Sequence, residues 1–145
     1  MIDLRPRLRD PAVRSLLALA LGSGPDQLER ACQNDIEEPR WILLGLEARG
    51  ALVGCIGVEP RGSRHAVIRH IAVLPAHQRH GVGRAMIAFV QRQYAFMSLE
   101  AETDADAVSF YERCGFAITS LGERFPGIER FRCIWARPTN QEMAG

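Results

Sequence analysis

Gln78-Arg79-His80-Gly81-Val82-Gly83 joins an apolar run to an amphipathic one through a turn with two glycines. Without side chains at Gly81 and Gly83, a ligand can approach the backbone closely, and the first N–H groups of the helix that follows have no intrahelical partners. Those donors, with the positive end of the helix dipole behind them, suit an anion. Arg79, His80 and Arg84 add positive or ionisable charge around the same turn. The chemistry implied is the binding of an anionic group, foremost a pyrophosphate.

The elements that must position this turn follow from periodicity and punctuation. Met1 to Arg5 predicts a short strand, and Asp10-Pro11 reads as a helix N-cap with proline at the first helical position. Val13, Leu16, Leu17, Ala20 and Leu21 then give an apolar helical face that stops at Gly22-Ser23-Gly24, before a second short helix over Pro25 to Gln33. Trp41 to Ala48 and Leu52 to Glu59 form a hairpin around Arg49-Gly50-Ala51, and after a turn at Pro60 to Ser63 a third antiparallel strand runs from Ala66 to Leu74. Pro75 stops that ladder. Arg84 to Ala95 predicts a helix with Ile87, Val90 and Tyr94 on one stripe and Met86 and Phe89 beside it, and Met97 to Glu102 returns as a strand. A strand, a crossover helix and a strand make a right-handed unit, so these two strands are expected to be parallel neighbours. Asp104 or Asp106 caps a helix ending at Gly115, and Phe116 to Leu121 and Ile128 to Ala136 form a last strand pair around a long loop.

Composition bounds the function. The 145 residues, 47% hydrophobic, suit one domain over 1–145 with its own core. With 18 basic and 17 acidic residues there is no global field for a nucleic acid or an anionic membrane. Every basic residue is arginine, which excludes Schiff-base chemistry and a lysine-based phosphate loop. Cys32, Cys55, Cys114 and Cys133 never form C-x-x-C, so neither a metal site nor a redox motif is indicated. The charged N-terminus and the absence of a long apolar run lead us to expect a soluble, unprocessed, cytoplasmic protein.

A meander, a glycine turn, a helix, a strand and a helix ending in Phe110-Tyr111-Glu112-Arg113-Cys114-Gly115-Phe116 resemble the GNAT superfamily of acetyl-CoA-dependent N-acetyltransferases. Gln78 to Gly83 is similar to that family's Q/R-x-x-G-x-G/A pyrophosphate loop, and Ala107 to Tyr111 with Gly115-Phe116 is similar to its later tyrosine helix. The resemblance implies an α/β fold: a central mixed sheet of about seven strands, splayed between the fourth and fifth, with about four helices. It implies acetyl-CoA as co-substrate, with Ile71, Ala72 and Val73 along the pantetheine arm and the pyrophosphate on the N–H groups from Arg79 to Arg84. Gln78, His80, Gly81, Val82 and Gly83 fall inside that loop. Asp104 stands where the family often has asparagine, so it either caps the helix or accepts a cofactor hydrogen bond.

For catalysis the resemblance places Tyr111 beside the sulfur as general acid, a role suited to a phenol with a reference pKa of about 10; on residue type alone it is a core aromatic. Many members carry a glutamate on the strand before the loop, but that position holds Val67 here. Glu59 is then the candidate base, acting through water, and His70 is a weaker one. Alternation sets His70 opposite Val67 and Arg69, where it is a packed or solvent-facing imidazole. Glu100 and Glu102 share a strand face, and Cys114 is read as structural.

The acceptor expected is a primary amine on a small molecule or peptide, drawn by Asp26, Glu29, Asp35, Glu37 and Glu38 or by the Gly122 to Arg130 loop. The donor carbonyl would be polarised by the Val73 N–H, with direct attack in a ternary complex. A homodimer is a further expectation from the family. The competing functions are an acetyl-CoA-binding sensor with little catalysis, motivated by Val67, and a nucleotide-phosphate enzyme. The second lacks both G-x-x-x-x-G-K-[ST] and G-x-G-x-x-G.

Overall fold

In chain order the strands are β1 (Ile2–Asp3), β2 (Ile42–Ala48), β3 (Ala51–Arg61), β4 (His65–Val73), β5 (Ser98–Asp104), β6 (Ala117–Phe125) and β7 (Ile128–Ala136). The helices are α1 (Pro11–Leu21), α2 (Val82–Gln93) and α3 (Val108–Arg113), with 3-10 turns at Arg5–Arg7 and Pro75–His77. The structure, a computed structural model, describes residues 1–21 and 40–138. The helix expected over Pro25 to Gln33, the acidic residues from Asp26 to Glu38, Cys32 and the tail past Pro138 lie outside these residues. The seven strands form one mixed sheet in the order β1-β2-β3-β4-β5-β7-β6. The chain divides into two compact units, Met1–Pro60 with Ile68–Tyr94, and Arg61–Val67 with the residues from Ala95 onward.

In the first unit, the Asp10 carboxylate accepts the Ala12 N–H at 2.9 Å, and Pro11 needs no donor partner, so α1 starts where expected. Val13, Leu16 and Leu17 on its inner face are no more than 1% exposed and pack into one cluster with Leu4, Leu43 and Cys55. Burying each such aliphatic side chain stabilises the fold by about 1.5–3 kcal/mol. The β2–β3 hairpin turns at Arg49 (φ 54°) and Gly50 (φ 80°), the two left-handed residues that a tight primed turn requires. From Leu52 to Val58, every β3 residue is buried. A Cβ at Gly54 would lie 3.0 Å from the Val82 side chain and 3.1 Å from the Ala72 carbonyl, so the missing side chain lets α2 approach the sheet closely. α2 begins at Val82, two residues before the expected Arg84, and buries Gly83, Met86, Ile87 and Val90. Tyr94 lies just past its end as the C-cap.

In the second unit, β4 and β5 are parallel, paired over His65–Val67 and Ser98–Glu100. That is three pairs, out of nine residues in β4 and seven in β5. β5 pairs antiparallel with β7 along its full length, from Ser98 opposite Ala136 to Asp104 opposite Arg130. The loop expected between the last strands is a hairpin instead: β6 and β7 pair out to Phe125 opposite Ile128, and only Pro126-Gly127 turns. The breaker Gly122 (φ 79°) is accommodated within β6 by a register shift between Ser120 and Gly122, a bulge that keeps the ladder going. Ala66, Phe96, Leu99, Ala101, Tyr111, Phe116 and Cys133 form the buried set here. Among the described residues, no helix is long and apolar enough to cross a membrane.

Candidate active site

The corner between β4 and α2 is set by backbone geometry. Pro75 starts the 3-10 turn, the Leu74 carbonyl accepts the His77 N–H at 2.8 Å, and Arg79 (φ 66°) and Gly81 (φ 78°) both take left-handed conformations. Nothing within 4 Å would meet a Cβ at Gly81, so glycine is favoured there by φ rather than by space. Gly81 is the N-cap of α2, and its carbonyl accepts the Ala85 N–H at 2.9 Å. The N–H groups of the first turn, from Val82 onward, are the orphan donors of a twelve-residue helix. Arg79, His80 and Arg84 are exposed around them. Such N–H donors with a helix dipole behind them are an arrangement that suits an anion.

The strand leading into the corner offers its main chain by parity. The Leu74 N–H donates to the Val53 carbonyl on β3 at 2.9 Å, so the main-chain groups of Val73 and Ile71 point away from β3 while those of Ala72 point toward it. An extended ligand arm lying along this strand would therefore meet Ile71 and Val73. The Gln78 side-chain amide donates to the Val73 carbonyl at 3.1 Å.

The two candidate bases differ in their surroundings. Glu59 accepts a hydrogen bond from the Arg69 guanidinium Nε at 2.8 Å across the β3–β4 pair. His70 is half-buried, its ring centroid 5.8 Å from that of Trp41, and its Cδ2 would lie 3.1 Å from a Cβ at Gly57. It is a packed imidazole, on the same side of β4 as the buried Ile68 and Ala72.

In the second unit, Tyr111 is 5% exposed and sits between Phe110 and Phe116, with ring centroids 5.2 Å and 5.4 Å away, both edge-on. α3 ends just beyond it in a Schellman motif. Gly115 (φ 89°) donates to the Glu112 carbonyl at 3.0 Å, and Phe116 donates to the Tyr111 carbonyl at 3.1 Å. Burial foremost, then the neighbouring Cys133 and Cys114 thiols, pushes the Tyr111 phenol well above its ordinary value. The Asp104 carboxylate accepts the N–H groups of Asp106 and Ala107 at 3.0 Å and 3.2 Å, which makes it the turn residue before α3. Cys114 is partly buried at the C-cap of α3. Glu100 and Glu102 are each met by an arginine of β7, Arg132 at 3.6 Å and Arg130 at 3.3 Å, forming an exposed charge ladder. Among the described residues, no three His, Cys, Asp or Glu side chains gather as a metal-binding group.

Residues 39–118, just over half of the chain, match the model of the acetyltransferase (GNAT) domain. This chain belongs to the GNAT acetyltransferase family. An uncharacterized N-acetyltransferase of Bacillus methanolicus is 29% identical over 82 residues, which is 57% of this chain and 66% of that protein. The chain thus spans slightly less than two thirds of that relative's length. Three solved structures share the fold. An aminoglycoside 6'-N-acetyltransferase complexed with coenzyme A has a TM-score of 0.74 at 17% identity, covering 96% of this chain and 100% of its own. The Enterococcus faecium aminoglycoside 6'-N-acetyltransferase gives 0.71 at 19%, covering 92% and 94%. A GNAT acetyltransferase of Elizabethkingia anophelis with acetyl-CoA bound gives 0.65 at 17%, covering 85% and 89%.

Two features of this GNAT domain become plain only in the structure, and one of them leaves a mark in the sequence. Arg69 becomes the partner of Glu59 only once β3 and β4 are in register, ten residues apart. Gly54, in the middle of an apolar run, did carry a signal: glycine inside a strand marks a close backbone approach, here by α2.

Proposed function

We propose that this protein is an acetyl-CoA-dependent N-acetyltransferase that transfers an acetyl group to a primary amine on a small molecule or peptide. The observation that carries the reading is the corner from β4 to α2, with Gly81 at φ 78° opening a helix whose first N–H groups suit a pyrophosphate. The pantetheine arm lies along Ile71 and Val73, and Gly81, Val82, Gly83 and Arg84 receive the pyrophosphate with Arg79 and His80 beside it. The acceptor attacks as a free amine. Glu59, through water, removes its proton, with His70 the weaker candidate. The C–N bond forms as the thioester carbonyl becomes an oxyanion, which the Val73 N–H stabilises. The C–S bond then breaks, and Tyr111 donates to the departing sulfur. Its raised phenol stays protonated throughout the neutral range; the same rise makes it a weaker acid, so its effect comes through the hydrogen bond it offers the sulfur. Transfer is direct, without an acetyl-enzyme, and takes place in the cytoplasm.

Release of free CoA is the test, followed with a panel of polyamines, amino acids, peptides and aminoglycosides; the last are included because structural neighbours are named for them. Amine-dependent release is expected with at least one class. A second reading, an acetyl-CoA sensor, is favoured by Val67 standing where a family glutamate is common. Tight CoA binding with no release across the whole panel would select it.

A further inference from the structure

The Gln78 amide is already committed within the protein. Its Nε2 donates to the Val73 carbonyl at 3.1 Å, and a carbonyl can be met only by the NH2 end of the amide. The peptide between Val73 and Leu74 is held on its other side by the Leu74 N–H donating to Val53 on β3 at 2.9 Å. One peptide plane, at the point where β4 ends, is therefore pinned in both directions. Rotation about the Val73–Leu74 segment would break one bond or the other. Beyond Gln78, Arg79 and Gly81 adopt left-handed conformations, so this segment links the end of the strand to the start of α2.

We infer that Gln78 is a positioning residue that acts through Val73, fixing the end of β4 so that the Val73 N–H is aimed at the donor carbonyl, and does not bind the cofactor phosphates itself. The inference rests on the acetyltransferase reading, because it gives the Val73 N–H a thioester to meet. It also fixes which main-chain groups the pantetheine arm can use. With one lone pair of its carbonyl already taken by Gln78, Val73 offers the arm its N–H first.

The test compares a donor that carries phosphates with one that has none. Binding of CoA and of pantetheine is measured by calorimetry, and turnover with acetyl-CoA and acetylpantetheine, for wild type, Gln78→Ala and Gln78→Arg. Gln78→Ala is expected to weaken both ligands by the same factor, about fivefold for one neutral hydrogen bond, with KM raised for both donors. Gln78→Arg, which keeps an N–H donor, should recover much of the loss with acetylpantetheine. A loss confined to CoA and acetyl-CoA would overturn the inference and put the side chain on the phosphates. A fall in kcat shared by both acetyl donors and recovered by Gln78→Arg would support the inference, because the Val73 N–H is read as stabilising the oxyanion; a fall that Gln78→Arg does not recover, or no change at all, would overturn it. If wild type binds both ligands but acetylates nothing, the catalytic reading fails while the binding ratio still decides the role of Gln78. If it binds neither, both fall.

Discussion

At the β4–α2 corner, the groups offered to a ligand are main-chain N–H donors, held by buried packing at Gly83, Met86 and Ile87 and by two residues of positive φ. The β6–β7 hairpin offers side chains instead, on strands whose residues are mostly exposed, with Phe125 66% and Ile128 49% exposed at the tip. Glu123 faces Glu129 directly across that pair, and each carboxylate is tied locally, Glu123 to the Gly127 N–H at 3.3 Å and Glu129 to the Ser120 hydroxyl. A backbone site tolerates almost any sequence that keeps its dihedrals, whereas a side-chain surface is rewritten by each substitution. On the proposed reading, a donor common to the family lies on the first kind of surface and a variable acceptor on the second.

The contrast can be broken or sharpened by substitution. Tyr111→Phe should lower kcat by about a hundredfold, within the range of a positioned proton donor, while CoA affinity stays within twofold in calorimetry. Undiminished turnover would remove Tyr111 from the chemistry. Gly81→Val forces a β-branched residue to φ 78° and should weaken CoA by about tenfold or more, since such strain is on the order of 1–3 kcal/mol. An effect on CoA no larger than that of Glu123→Gln would erase the distinction between corner and hairpin.

Stability at high pH tests buried groups in both units, Cys55 in the first and Tyr111 with Cys133 in the second. Burial pushes the Cys55 thiol up to about 12 from 9.0, against a small opposing contribution from the Ala72 backbone, and raises the Tyr111 phenol above 10.0. Between these values and the raised ones the unfolded chain has lost protons that the folded chain keeps. Stability is therefore fully present below about pH 9 and falls as pH rises, by about 1.4 kcal/mol per pH unit per group. Urea unfolding at pH 8, 9.5 and 10.5 reads this directly; a flat profile would contradict their burial. The smallest effect is expected at the hairpin. Glu129→Gln removes a like-charge pair and should stabilise by about 0.5 kcal/mol in low salt, with no change in CoA affinity.

The corner was legible because glycine, proline and an apolar period of about 3.6 each act locally. Its one misreading was the start of α2. Gly83 looks like loop, yet it lies buried in the first helical turn, where a small residue fits against the sheet. The hairpin looks like a loop in sequence because Gly122 and Pro126-Gly127 are all breakers, and a bulge that absorbs a glycine leaves no mark in composition. The bond from Gln78 to Val73 and the Arg69–Glu59 pair were out of reach altogether, since each depends on a turn geometry or a register that residue types do not encode. Asp104 shows the intermediate case. Its choice of partner, two N–H groups before α3, needed the structure, but its turn-forming chemistry was already plain from its type.

The most direct test of the central claim, that main-chain groups at the end of β4 and the start of α2 hold the donor, is to follow backbone amide signals by NMR as CoA is titrated in. The account predicts that the amides of Ile71 and Val73 and those from Arg79 to Arg84 move together, and that pantetheine moves only the first two. Saturable CoA binding that leaves the amides from Arg79 to Arg84 unmoved would contradict it.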